Sequence, residues 1–165
     1  MSIQNGYRFM REDFPTLLRM PRYPEQTVRQ SDLIRLYFQV HLDEFDSVTF
    51  EYRVGVGVPP DPTHLPGVQA QTENVTRQRI DVIGWSGSRP TIIECKDRVT
   101  PSALGQILTY RILLSQEFPD APEPKLVAIG RFSDPDTLSS LNAHGVTVYL
   151  YAETHAQGDA VLSGV

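Results

Sequence analysis

RIDVIGWSGSRPTIIECKDRVTPSALGQILTY, running from Arg79 to Tyr110, decides how the rest of the chain is read. Arg79 to Ile83 is a short β-prone run with Asp81 at its centre, and Trp85 to Pro90 reads as a Gly/Ser turn. Pro90 stands at the mouth of the next run, where a strand tolerates proline. Thr91 to Lys96, TIIECK, is a second strand. Side chains alternate faces along a strand, so Glu94 and Lys96 share one face while Ile93 and Cys95 take the other. Paired as a hairpin, the two strands bring Asp81 beside Glu94.

Two carboxylates and one ammonium then meet at one end of a small sheet. Asp81 and Glu94, with the backbone carbonyl of Cys95, make a hard all-oxygen donor set suited to Mg²⁺ or Mn²⁺. An ion there polarises a phosphoryl oxygen and acidifies a bound water, and Lys96 orients that water or offsets charge on the phosphate. By residue type alone, Glu94 and Lys96 fit an ordinary exposed ion pair equally well. The apolar setting of TIIECK argues against that reading, because charges inside such a run need a reason.

The spacing Asp81-x(12)-Glu94-x-Lys96, followed by a helix with Gln106 and Tyr110, resembles the PD-(D/E)XK nuclease superfamily. Restriction endonucleases, Holliday-junction resolvases and RecB-type nucleases belong to it. Ile80 stands where the superfamily's name has proline. The resemblance spans roughly Arg79 to Tyr110 and implies a restriction-endonuclease-like α/β fold: an α-β-β-β-α-β core with a mixed sheet flanked by helices, here with an added helix and strand. It implies metal-dependent phosphodiester hydrolysis, most naturally of DNA, with Asp81, Glu94 and Lys96 as catalytic residues and Mg²⁺ or Mn²⁺ as cofactor. Arg79, Arg98, Gln106 and Tyr110 are the substrate-side candidates. Several branches carry an extra acid on the first helix; Asp32 and Glu44 are the candidates, and Asp32 fits better by its distance from the next strand.

Upstream, residues 1–26 read as an N-terminal lead-in interrupted by Pro15, Pro21 and Pro24. Its Arg8, Arg11, Arg19 and Arg22 suit either a phosphate-contacting arm or a solvated segment that packs Leu17 and Leu18 on the core. The single domain is expected over 27–152. Apolar residues from Val28 to Phe45 recur at helical spacing, and Val48, Phe50, Tyr52, Val54 and Val56 alternate as a half-buried strand. The Pro/Gly-rich 59–76 segment reads as a long loop, either a flap near the substrate or an inert insertion.

Downstream, Thr100-Pro101 is a helix start, and the helix to about Glu117 presents Leu104, Ile107, Leu108, Ile112 and Leu113 as its apolar stripe. Gln106 and Tyr110, four apart, are neighbours on it. KLVAIG (Lys125–Gly130) is a buried-type strand, a short helix capped by Asp134 or Asp136 follows, Gly145 stops it, and Val146–Ala152 closes the sheet. Residues 153–165 read as a flexible tail.

Net charge is −5, so no global basic field draws the chain to nucleic acid and any contact must come from a local face. One cysteine excludes an internal disulfide and a Cys-based zinc site, and the four histidines lack ligand spacing. No apolar run reaches membrane-spanning length and MSIQNGYRFMRED lacks a signal-peptide pattern, so a cytoplasmic protein with no membrane partner is the expectation. A small domain has little surface for reading a long site, which favours structure-directed cleavage, a homodimer, or a partner that delivers it. Sequence does not separate RNA from DNA. The rival reading is a non-catalytic nucleic-acid-binding or protein-interaction module on the same fold.

Overall fold

The computed structural model of the protein describes residues 5–59 and 61–152. Six strands form one mixed sheet in chain order: β1 (Tyr7–Met10), β2 (Ser47–Val54), β3 (Gln78–Ser86), β4 (Arg89–Cys95), β5 (Lys125–Gly130) and β6 (Val146–Leu150). Neighbours from β1 to β4 run antiparallel, whereas β4, β5 and β6 run parallel. Parallel neighbours need a crossover. Two helices supply it, α4 (Pro101–Glu117) and α5 (Pro135–Ala143). Both lie on one sheet face, around Ile83, Ile92, Ala128 and Val146. The other face is covered by the one-turn α1 (Phe14–Leu17) and by α2 (Val28–His41), over Phe50, Val82, Ile93 and Val127. Each fully buried Ile or Phe in these layers contributes roughly 1.5–3 kcal/mol. The result is an α/β sheet flanked by helices.

Local chemistry sets the ends of several elements. Thr27 Oγ1 accepts from the Gln30 amide at 3.2 Å while Gln30 Oε1 accepts from the Thr27 amide at 3.0 Å, a capping box that starts α2. Asp134 caps α5 by accepting from the Thr137 amide at 2.8 Å, and Gly145, with φ +75°, stands just beyond that helix's end. Pro101 opens α4 after Thr100, but the Thr100 hydroxyl bonds Ser102 Oγ instead of a backbone amide. The β3–β4 turn is only Gly87-Ser88, with Gly87 at φ +58° in the first turn position, so both strands extend further than the Trp85–Pro90 segment suggests.

Four expectations are corrected. Residues 66–76 are not loop: α3 (Pro66–Thr76) is a helix begun by proline, and its described side chains are exposed or half-buried. It lacks an apolar stripe because it packs little against the core. The lead-in is not peripheral, since Tyr7–Met10 pairs with β2 as the sheet edge and Phe14, Leu17 and Tyr23 are core residues. On α4 the buried set is Ala103, Ile107, Tyr110 and Leu114, with Ile112 55% exposed and Leu104, Leu108 and Leu113 only partly buried.

The fourth correction concerns β2. Its alternation does not keep to one face: Val48 and Phe50 pack under α2, whereas Tyr52 and Val54 pack under α4, and Val56 is exposed. Glu51 lies between them at φ +55°, a left-handed conformation costly for a non-glycine residue. The β2–β3 ladder pairs Phe50 with Val82 and Tyr52 with Ile80, skipping Glu51 and Asp81. Faces therefore reverse at those two acids. The tail at 153–165 lies outside the described residues.

The segments after β4 and β5 run side by side. Lys96 N–H donates to Ile129 O at 2.9 Å, Arg131 N–H to Asp97 O and Val99 N–H to Phe132 O, each at 3.0 Å. Gly130 permits this approach, for a Cβ there would stand 2.9 Å from the Lys96 carbonyl oxygen and 2.5 Å from Val99 Cγ2. Gly130→Ala is expected to lower stability by about 1–3 kcal/mol through overpacking. Gly105→Ala, in open space on α4, should raise it by roughly 0.5–1 kcal/mol. Urea midpoints of the two variants check the pair; equal shifts would refute the steric role of Gly130.

Candidate functional site

The ladder between β3 and β4 ends at Val82–Ile93. Beyond it β3 stays with β2, while β4 continues beside β5 through Glu94–Ala128 and Cys95–Ile129. Asp81 occupies the fork: its Oδ2 accepts from the Cys95 amide at 2.8 Å, replacing the missing strand partner. Glu94, next to that amide, is only 1% exposed. Lys96 Nζ reaches Glu94 Oε1 at 2.7 Å, yet neither Glu94 oxygen accepts a hydrogen bond of good geometry. Two buried carboxylates against the single Lys96 ammonium leave the cluster short of positive charge, which is costly.

Electrostatics follow from this burial. Desolvation, then repulsion from Asp81, raises Glu94 from its ordinary 4.5 to about 7 against the pull of Lys96. Asp81 is also raised, by burial, although the Cys95 amide, Lys96 and Arg79 pull the other way. Burial alone would lower Lys96, but Glu94 and Asp81 outweigh it and hold the ammonium above its usual range. Lys96 therefore stays charged at neutral pH. It can hold an anion or orient a water, but it is not a neutral base.

Around the fork the α2 and α4 helices supply amides and a phenol. Gln30 Nε2 donates to the Cys95 carbonyl at 3.2 Å. That carbonyl thus has one lone pair engaged and one left for a cation. Gln106 Nε2 donates to the Tyr110 hydroxyl at 3.3 Å, and the buried Tyr110 is raised by desolvation and by the nearby Glu94 and Asp81. Tyr110 therefore lies within electrostatic reach of the acids, with Gln106 on its hydroxyl. Arg79 pairs with Glu51, Nη1 to Oε2 at 3.2 Å, and not with Asp81. Arg98 lies further out, its guanidinium 5.5 Å above the Phe132 ring.

Asp32 is not brought to this site. Its Oδ1 pairs with Arg35 at 2.6 Å on the exposed side of α2, about half a turn from Gln30, where the helix meets Cys95. Glu44 is also elsewhere, bonded to His41 at 2.7 Å. The third acid beside the fork is Glu51, and sequence reading missed it. Its carboxylate accepts from the buried Gln26 amide at 2.7 Å, and burial together with Asp81 and Glu25 raises its pKa against Arg79. A clue was present in the charged residue interrupting VTFEYRV, but its unusual backbone was not legible.

The donor set suits a hard cation: the buried Glu94 carboxylate with Lys96 on Oε1 only, Asp81 with one oxygen engaged, and the Cys95 carbonyl. Among the described residues no three His, Cys, Asp or Glu side chains converge as a complete metal cage. Mg²⁺ does not require one, since it is commonly held by one or two carboxylates, water and substrate phosphates. Compared with known proteins, the chain matches no family model, no curated protein and no solved structure at a significant level. Its site is read from its own geometry.

A pH dependence follows. Glu94 sits above its unfolded value, so the metal-free fold binds an extra proton between pH 4.5 and about 7, and Asp81, raised as well, adds to the effect in the same direction. The fold's stability is full below that window and falls as pH rises through it, by about 3 kcal/mol at most for Glu94. Chemical denaturation from pH 4.5 to 8 in EDTA should show this decline in wild type and a flatter profile in Glu94→Gln. A wild-type profile that rises with pH would refute the assignment.

Proposed function

We propose that the protein is a metal-dependent nuclease that hydrolyses phosphodiester bonds, most naturally in DNA, on a restriction-endonuclease-like fold. The observation that carries the reading is Glu94: a carboxylate 1% exposed that faces Asp81 at a fork in the sheet and has the Lys96 ammonium, 2.7 Å away, as its one charged partner among the described residues. With α3 taken as an insertion between β2 and β3, the order α2, β2, β3, β4, α4, β5 is in keeping with the helix–three strands–helix–strand core implied by the resemblance. The order alone names no chemistry.

Asp81, Glu94 and the Cys95 carbonyl would hold Mg²⁺ or Mn²⁺, which when bound supplies Lewis acidity to a phosphoryl oxygen and an acidified water. Lys96, kept protonated by Glu94, donates hydrogen bonds to the attacking water or to the phosphate as its charge builds. Gln30 holds the Cys95 carbonyl, and Tyr110, held by Gln106, lies on α4 within electrostatic reach of the acids. Arg79, half-exposed on Glu51, is placed to exchange its carboxylate for a substrate phosphate. Arg98 extends the cationic rim beyond Lys96.

Cleavage of supercoiled, single-stranded, flapped and four-way-branched DNA should require Mg²⁺ or Mn²⁺ and stop in EDTA. Asp81→Asn and Glu94→Gln should remove the thermal stabilisation that the divalent ion gives wild type. Lys96→Ala should keep that stabilisation yet lose about 100-fold or more of the rate. Glu51→Gln should cost about 10- to 100-fold through the neighbouring Asp81 and Arg79. Nucleic acid bound but never cut under any metal would instead favour a non-catalytic module.

A further inference from the structure

A second concavity, of about 530 Å³, lies on the α4 side of β1–β3. Its volume is that of a small-molecule or nucleotide site. Ser47 and Thr49 form a buried polar floor, Trp85 and Phe118 one wall, and Arg8 the opposite rim. The two rings meet edge to face at 5.1 Å, and Trp85 is only partly buried. Arg8 uses one N–H on Ser47 Oγ at 3.1 Å and has no carboxylate partner among the described residues. Asp46, also at this rim, is engaged by the Gly87 amide at 2.7 Å and by Arg11 at 4.0 Å.

We propose that this concavity binds an unpaired nucleotide of the substrate strand, its base on Trp85 and its phosphate on Arg8. Sheet register supports the spacing. Met10, Ser47 and Trp85 lie in one row across the strands, and Arg8, Thr49 and Ile83 in the row two residues further along. An aromatic ring across a polar floor from a guanidinium that has no carboxylate partner among the described residues is the pairing that single strands use, since any base can stack and any phosphate can bind. A fully paired duplex keeps its bases inside the stack and cannot offer one to Trp85.

The concavity has a smaller neighbour that shares Gly6 with it. This hollow, of about 270 Å³, is bordered by Glu51, Arg53 and Arg79. From Trp85 to Asp81 is four residues of β3, at most about 14 Å. The identity of this ligand as nucleic acid rests on the proposed nuclease reading, while its single-stranded character rests on the concavity.

Trp85 is the chain's one tryptophan, so its emission reports the site directly. The full chain in EDTA would be titrated with a ten-residue oligothymidylate, a blunt duplex of the same length, and thymidine monophosphate. The expected result is saturable quenching by the single strand at concentrations where the duplex gives little. By anisotropy of a labelled oligothymidylate, Trp85→Ala should weaken binding by roughly 5-fold or more, and Trp85→Phe should restore most of it. Arg8→Ala, at an exposed position, should weaken binding and reduce its salt dependence. Absent quenching, equal quenching by duplex, or quenching by the mononucleotide alone would overturn the proposal. Cleavage is scored separately with Mg²⁺: single-strand quenching without any cutting would sink the nuclease reading and leave this site standing.

Discussion

The hydrogen bond from the Cys95 amide to Asp81 holds the centre of this molecule together. At that point β3 leaves β4, because β4 must continue beside β5 into the parallel half of the sheet. A parting of strands leaves backbone donors without partners, which a folded interior does not tolerate cheaply. A short acidic side chain placed one residue before the ladder satisfies the orphan amide. The same residue carries a negative charge into a largely apolar sheet, next to Glu94. The structural repair and the chemical site are therefore one feature.

Holding two carboxylates there is unfavourable by itself. Burial raises both, they repel each other, and Lys96 is one ammonium against two acids. Replacing such a cluster by apolar residues commonly stabilises a protein, so its presence in the buried interior of the sheet marks the fork as a candidate functional site. Strain accumulates in the same place. Glu51, opposite Asp81, takes a left-handed backbone in mid-strand, and the sheet's inside-outside alternation reverses there. That reversal lets Phe50 and Tyr52 serve opposite layers while Glu51 turns toward Gln26 and Arg79.

The two helices that flank the fork act on it differently. α2 enters with its first turn, where Gln30 both closes the capping box and reaches the Cys95 carbonyl, so the helix start and the site are fixed by one side chain. α4 presents its middle, burying Tyr110 and leaving Gln106 to satisfy the phenol. Gly130 allows β5 to crowd the segment that carries Lys96, which sets the ammonium at the mouth of the fork. None of these contacts is strong alone. Together they hold a charged cluster against its own repulsion.

The sequence by itself determined the elements whose signals are local. Alternation placed Glu94 and Lys96 on one face of β4, the Thr100-Pro101 pair began α4, continuous apolar runs marked β5, and four-residue spacing made Gln106 and Tyr110 neighbours. Asp81 and Glu94 were legible as a pair because a tight hairpin fixes register. Only the tertiary structure decided what depended on distant chain: that Tyr7–Met10 closes the sheet edge, that Glu51 and not Asp32 stands beside the acids, and that Gln26 and Gln30 support them. A left-handed residue in a strand leaves no periodic trace, since the alternation of VTFEYRV continues unbroken in the letters while its faces reverse. Helix α3 was hidden for the complementary reason: little of it is buried, so packing imposed no stripe to read.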